Sequence, residues 1–157
     1  MASTNTKHRV LIADDNQANR ELLEAYLIDF DCETEFAEDG QQTVDQAISF
    51  KPDLILLDVM MPKLSGFEVC QKLRESAETK NIMILMVTAL NELGDIERAI
   101  DAGTNDFLSK PVNRVELVKR VENMLKLKGV SDENERLRQY IQHLEDDLTP
   151  NAKVGQE

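Results

Sequence analysis

The sequence predicts an α/β fold: a doubly wound, five-stranded parallel sheet of order 2-1-3-4-5, with a C-terminal extension helix. Three observations carry that expectation. Short apolar runs alternate five times with stretches of helical period, the pattern of parallel strands joined by crossover helices. The central runs, Leu54-Ile55-Leu56-Leu57 and Ile82–Val87, are continuous aliphatics, which suits strands buried on both faces. The runs close on polar residues, Asp14-Asp15, Asp58 and Thr88, at the sheet edge where open α/β folds build their sites.

Taken in order, Arg9–Asp14 is the first strand. Leu22, Leu23, Tyr26, Leu27 and Phe30 then recur on one helical face. Glu33–Ala37 is more polar and reads as an edge strand. Asp39-Gly40 is expected to form a turn, and Val44, Ala47 and Ile48 mark a second helix. Pro52 breaks the chain before the strand ending at Asp58. Phe67, Val69, Cys70 and Leu73 belong to a third helix. Ile82–Val87 is the fourth strand. Ile96, Ala99 and Ile100 lie on a fourth helix that stops at Ala102-Gly103. Asp106–Ser109 is the fifth strand, followed by Lys110-Pro111. Val115, Leu117, Val118, Val121, Met124 and Leu125 mark the fifth helix. No repeat of solenoid period is present.

A chain of 157 residues suffices for one ordinary domain and a short appendage. It carries 30 acidic against 18 basic residues, a net charge of −12, which argues against direct nucleic-acid binding. The first nine residues lack the apolar core of a signal peptide, and no apolar run is long enough to span a membrane. A cytoplasmic location without membrane association is therefore expected. Cys32 and Cys70 are far apart, form no metal-ligand pattern, and read as reduced thiols.

After Gly129 the composition changes. Ser131–Leu148 has no glycine or proline and is rich in charge; Ser131 suits an N-cap, with Asp132 and Glu133 in the first turn. Val130, Leu137 and Leu144 recur every seven residues with Asn134, Ile141 and Leu148 between them, a heptad with Leu at d and Asn134 and Ile141 at a. Asn134, Leu137, Ile141, Leu144 and Leu148 are the candidate dimerisation residues. In a parallel dimer Glu133 (g) reaches Arg138 (e) of the partner. An amphipathic, coiled-coil-like helix is expected over 129–149, with residues 1–6 and 150–157 disordered.

Asp14, Asp15 and Asp58 close successive apolar runs. Three carboxylates are costly to cluster unless a cation or proton compensates them, which points to a hard metal, Mg²⁺, beside a reactive aspartate. Taken singly, each residue has a plainer reading. Asp14-Asp15 can cap a helix, Asp58 can sit in a turn before Pro62, Thr88 can end a strand, Lys110 can be a solvated charge, and Phe107 can fill the core.

Jointly, Asp14-Asp15, Asp58, Thr88 and Lys110-Pro111 at successive strand ends resemble the receiver domain of two-component response regulators, a flavodoxin-like fold, over residues 7–128. The stretch Leu56-Leu57-Asp58-Val59-Met60-Met61-Pro62-Lys63-Leu64-Ser65-Gly66-Phe67 is similar to that family's phosphorylation loop. The resemblance implies that Asp58 is the phosphoacceptor. It implies that Asp15 ligates Mg²⁺ directly, Asp14 through water, and Met60 through its backbone carbonyl. Thr88 bonds the phosphoryl group, Lys110 pairs with it, and Phe107 holds the aromatic switch position. Met60 and Leu90 occupy the two positions that tune the lifetime of the phosphoryl group. The implied phosphodonor is a sensor histidine kinase or histidine phosphotransfer protein, with a homodimer or a docked protein as the output. The domain is implied to catalyse only its own phosphorylation and dephosphorylation.

Other readings stay open. The chain can be the receiver fragment of a larger regulator whose output domain lies outside it. A Mg²⁺-dependent phosphatase with an Asp nucleophile typically has a second acid two residues on, where this chain has Met60. A phosphate-independent interaction module usually lacks one of the acids, the Thr or the Lys, and all are present here.

Overall fold

The structure, a computed structural model, describes residues 7–148 apart from Asn91; within the last helix, the side chains of 129–136, 139, 143 and 146–148 are not described. The chain divides into a unit ending at Leu125 and a second beginning at Lys126. Strands β1 (His8–Ala13), β2 (Cys32–Ala37), β3 (Leu54–Leu57), β4 (Met83–Thr88) and β5 (Asp106–Ser109) alternate with helices α1 (Gln17–Tyr26), α2 (Gly40–Ser49), α3 (Gly66–Glu75), α4 (Leu93–Ala102) and α5 (Arg114–Leu148). All neighbouring strands pair parallel, in the order β2-β1-β3-β4-β5. This is the fold class and strand order that the alternation of apolar runs predicts.

The two faces of the sheet follow from the period of two along each strand. Leu11, Ala13, Ile55, Leu57, Ile84 and Met86 face α2, α3 and α4. Val10, Ile12, Leu54, Leu56, Leu85 and Val87 face α1 and the first part of α5, where Leu117, Val121 and Met124 are buried. All four residues of β3 are buried, as a strand covered on both sides requires.

Several local expectations are corrected. Asp39-Gly40 is not a free turn: the Asp39 carboxylate caps α2 by accepting the Gln42 N–H at 2.8 Å, and Gly40 is the first helical residue. A Cβ on Gly40 would fall within 2.5 Å of Leu64, so glycine is there to let α2 touch the loop after β3. Helix α1 ends at Tyr26, and Phe30 packs on the core from the following turn. On α4 the buried residues are Ala99 and Ala102, while Ile100 is exposed; on α5 Val115 is exposed.

Ser131 is not an N-cap. Helix α5 runs unbroken through Gly129 to Leu148. One glycine costs a helix about 1 kcal/mol relative to alanine, and the helix carries on through it. The cap that starts α5 is Asn113, whose side chain accepts the Glu116 N–H at 3.0 Å. The regions expected to be disordered, 1–6 and 150–157, lie outside the described residues.

Candidate functional site

The backbone itself carries the sheet ladder one residue beyond the strands and so fixes the site. The Asp14 N–H donates to the Ala37 carbonyl at 3.1 Å, the Asp58 N–H to Ala13 at 2.9 Å, and the Lys110 N–H to Thr88 at 2.9 Å. The end of β1 is thus tied to β2 and to β3, and the end of β5 to β4, and the side chains of Asp14, Asp58, Thr88 and Lys110 lie at one edge of the sheet. The Lys110-Pro111 peptide bond is cis.

Oxygen atoms of Asp14, Asp15 and Asp58 lie within 4.8 Å of one another. Asp14 and Asp58 are buried and Asp15 is exposed. The Lys110 ammonium donates to Asp14 at 2.8 Å and to Asp58 at 3.2 Å. The remaining oxygens are held by nearby amides: Asn16 N–H donates to Asp14 at 2.9 Å, and Met60 N–H donates to Asp58 at 3.3 Å. Thr88 is fully buried, and its hydroxyl oxygen accepts the Leu90 N–H at 3.4 Å.

Burial pushes the Asp58 carboxyl above its ordinary range; Lys110 opposes the rise, Asp14 adds to it, and the Met60 amide and Thr88 hydroxyl oppose it more weakly. Burial alone would lower the Lys110 ammonium, but its bond to Asp14 and the charges of Asp58 and Asp14 outweigh that and raise it. When ionised, three carboxylates and one ammonium leave two negative charges, which a divalent cation would balance. An all-oxygen donor set of this kind fits Mg²⁺ or another hard cation.

Phe107 stands opposite Met86 on β5 and is half-buried against the core face that carries α2, α3 and α4. Met60 is exposed and Leu90 half-buried; both line, with Asp15 and Arg98, a groove of about 490 Å³ beside the acids. Of the tail candidates, Leu137, Ile141 and Leu144 are exposed, while the side chains of Asn134 and Leu148 lie outside the described residues.

Two contributors were not singled out from the sequence. Arg20 is buried and donates to the Asp14 carbonyl at 2.8 Å, holding the turn that carries both first-strand acids. Its spacing with Leu23 and Leu27 puts a charge on an apolar helical stripe, a signal that was legible. Gly66 opens α3, and a Cβ there would stand 2.5 Å from the Asp58 carbonyl oxygen. Its N–H donates to Val59 at 2.8 Å, clamping the loop that follows Asp58.

A parallel sheet with an oxygen-only acid cluster and a lysine at its carboxyl edge is the site class that this fold and geometry define. Residues 10–122 match the response regulator receiver domain, and the chain belongs to that family. It is 42% identical over 125 residues to the response regulator PleD of Caulobacter vibrioides, covering 80% of this chain and 28% of PleD. Over 118 residues it is 39% identical to the DNA-binding dual master transcriptional regulator RpaA of a Synechocystis strain, covering 75% of this chain and 49% of RpaA. The chain therefore spans half or less of the length of these two relatives. Among solved structures it resembles a putative response regulator from Chloroflexus aurantiacus, with TM-score 0.73 and 35% identity over 77% of this chain and 99% of that one. It also resembles the receiver domain of the sensor histidine kinase PA1611 from Pseudomonas aeruginosa, with TM-score 0.71 and 30% identity over 77% and 99%. That receiver has a magnesium ion coordinated in its active-site cleft. Among the described residues, no helix is long and apolar enough to cross a membrane.

Proposed function

We propose that this chain is a phosphoacceptor switch. Asp58 takes a phosphoryl group from the phosphohistidine of a sensor histidine kinase or histidine phosphotransfer protein. The observation that carries this reading is the meeting of Asp14, Asp15, Asp58 and Lys110 at one edge of the sheet.

One Asp58 carboxylate oxygen attacks phosphorus as the bond to the donor nitrogen breaks, and the electron pair of that bond leaves with the imidazole. Asp14, Asp15, Asp58 and the Met60 carbonyl would hold Mg²⁺. When bound, the ion supplies positive charge that offsets the phosphoryl oxygens in the transition state. Lys110 turns from the carboxylates to the arriving phosphoryl oxygens, since its flexible stem lets one ammonium serve both. An apolar groove of about 550 Å³ borders Lys110, lined in part by Leu22, Tyr26, Pro111 and Val112, and suits the docking of a donor protein.

Thr88 and Phe107 make the readout. Thr88 donates its hydroxyl to the phosphoryl group, and Phe107 turns into the space vacated behind it. Their places on the paired strands β4 and β5 support this coupling. The altered surface then docks a partner protein or changes self-association.

The test is the intact mass of the protein after incubation with Mg²⁺ and acetyl phosphate or phosphoramidate. One added phosphoryl group is expected, absent in Asp58→Asn and absent in EDTA. Labelling that persists in Asp58→Asn overturns the assignment. Steady release of phosphate from an external monoester would favour a hydrolase instead.

A second reading is compatible with the first. The greater length of PleD and RpaA supports the view that this chain is the receiver part of a longer regulator. DNA binding belongs to the description of RpaA, about half of which this chain matches. The acidic balance of the present residues gives no reason to place such binding within them.

A further inference from the structure

We propose that a second copy of this chain pairs with it through the C-terminal part of α5, as a parallel, in-register, two-stranded coiled coil. The inference does not rest on phosphorylation of Asp58.

The decisive observation is that α5 does not stop at Gly129. With the helix continuous, the heptad gains one further position towards the N-terminus, Leu127. Positions a become Leu127, Asn134, Ile141 and Leu148, and positions d become Val130, Leu137 and Leu144. At 1.5 Å per residue, the stripe from Leu127 to Leu148 is about 32 Å long. Gly129 falls at position c, away from the seam, where lack of a side chain costs no contact.

The stripe begins where burial ends. Met124 and Leu125 are buried in the first unit, whereas Leu127, Leu137 and Ile141 are 60%, 50% and 53% exposed, and Leu144 is 38% exposed. Large aliphatics left in water at a mean spacing of 3.5 residues are the seam of a supercoil rather than the wider face of a helix packed on a globular core. A helix this polar gains little stability by itself, so the exposed seam needs a partner.

Three features name that partner as a second copy. Ile141 at a with leucine at both described d positions favours two strands. In parallel register Asn134 meets Asn134, and the two amides can bond each other. Antiparallel pairing, in which a positions face d positions, would instead seat Asn134 against a leucine and strand the amide in an apolar layer. In the parallel arrangement, too, Glu133 at g lies across from the partner's e position, which is an arginine in this sequence.

The test is the mass of the whole chain by sedimentation equilibrium, without phosphodonor. A twofold mass is expected, falling to that of one chain in the double variant Leu137→Asp, Ile141→Asp. That variant should keep the Mg²⁺ response and melting temperature of the receiver unit, since both residues are exposed. In a Cys32→Ser background, Leu144→Cys should give an interchain disulfide under mild oxidation, which only the parallel register allows. Asp58→Asn should leave the mass unchanged, separating this inference from the phosphoacceptor reading. A wild-type chain that stays a monomer overturns the proposal, as does a dimer that survives the double variant. A dimer whose Leu144→Cys form does not cross-link overturns the parallel arrangement.

Discussion

Lys110 holds Asp14 at 2.8 Å and Asp58 at 3.2 Å, so one side chain from the end of β5 ties together the ends of β1 and β3. In the metal-free protein this ammonium is the cation nearest the acids. Replacing it with methionine leaves two buried carboxylates uncompensated. Lys110→Met is expected to destabilise the metal-free protein by about 2 kcal/mol, below the full cost of breaking a buried pair because Lys110 is partly exposed. The same variant should bind Mg²⁺ more tightly, because the competing ammonium is gone. Urea melts with EDTA and with Mg²⁺ check both directions; weaker Mg²⁺ binding would contradict this view of Lys110.

Asp58 gives the opposite sign. Its folded-state pKa is raised, chiefly by burial. The folded protein then binds the Asp58 proton more tightly than the unfolded chain does. Ionising Asp58 therefore costs stability, absent below the ordinary carboxylate range and fully present above the raised value. Asp58→Asn removes that cost while retaining the Lys110–Asp14 bond. At neutral pH without metal, the variant should be more stable by about 1 kcal/mol, or roughly 2–4 °C in Tm for a chain of this size. The gain should fade as the pH drops into the carboxylate range. A lower Tm for the variant at neutral pH would show that the pairing with Lys110 outweighs burial.

Metal should stabilise by mass action. If Asp14, Asp15 and Asp58 hold Mg²⁺ only when folded, a hundredfold excess over Kd adds about 2.7 kcal/mol. EDTA should reverse the gain. Asp15→Asn should blunt it without altering the metal-free Tm much, since Asp15 is exposed. An equal Mg²⁺ shift in wild type and Asp15→Asn would remove Asp15 from the metal site.

The strand ends were readable because each acid closes a run of aliphatics, and burial of such a run forces its last residue to the sheet edge. What escaped was of another kind. Gly40 and Gly66 matter through the backbone they touch, Leu64 and Asp58, and those contacts cross between elements. Arg74 on α3 was not singled out from the sequence. It donates to the carbonyls of Gly103, Lys80 and Ile82 and to the Asn105 side chain, tying together the loops before β4 and β5. Gly129 misled in the other direction: glycine is a helix breaker by propensity, and continuity of the helix overrode it.

The Gly66 contact gives a local test. Gly66→Ala places a methyl group against the Asp58 carbonyl and the Val59 backbone, with no flexible side chain to move aside. The loop must shift, and Met60 moves with it. The expected result is a loss of Mg²⁺ affinity of tenfold or more, about 1.4 kcal/mol, with the far-UV circular dichroism unchanged. Arg74→Ala is the control, expected to lower stability through its lost hydrogen bonds but to leave Mg²⁺ affinity intact. Should Arg74→Ala weaken Mg²⁺ binding as much, the Gly66 effect would be general softening of the fold.

If Asp58 is the phosphoacceptor proposed above, the lifetime of its phosphoryl group depends on whether a water can be oriented for attack. Met60 and Leu90 line the groove beside Asp15, and neither side chain can direct a water by hydrogen bonding. Hydrolysis from Asp58 should then be slow, and the purified protein should hold its phosphoryl group well beyond seconds. Leu90→Gln brings an amide to the half-buried wall of the groove, and Met60→Asn brings one to its exposed rim. Both should speed loss severalfold, Leu90→Gln more, because its amide is held in place by its surroundings. Release of inorganic phosphate after removal of the donor measures each rate. A wild-type half-life of seconds, or no acceleration in either variant, would show that these two side chains do not set the rate and that access of water past Lys110 does.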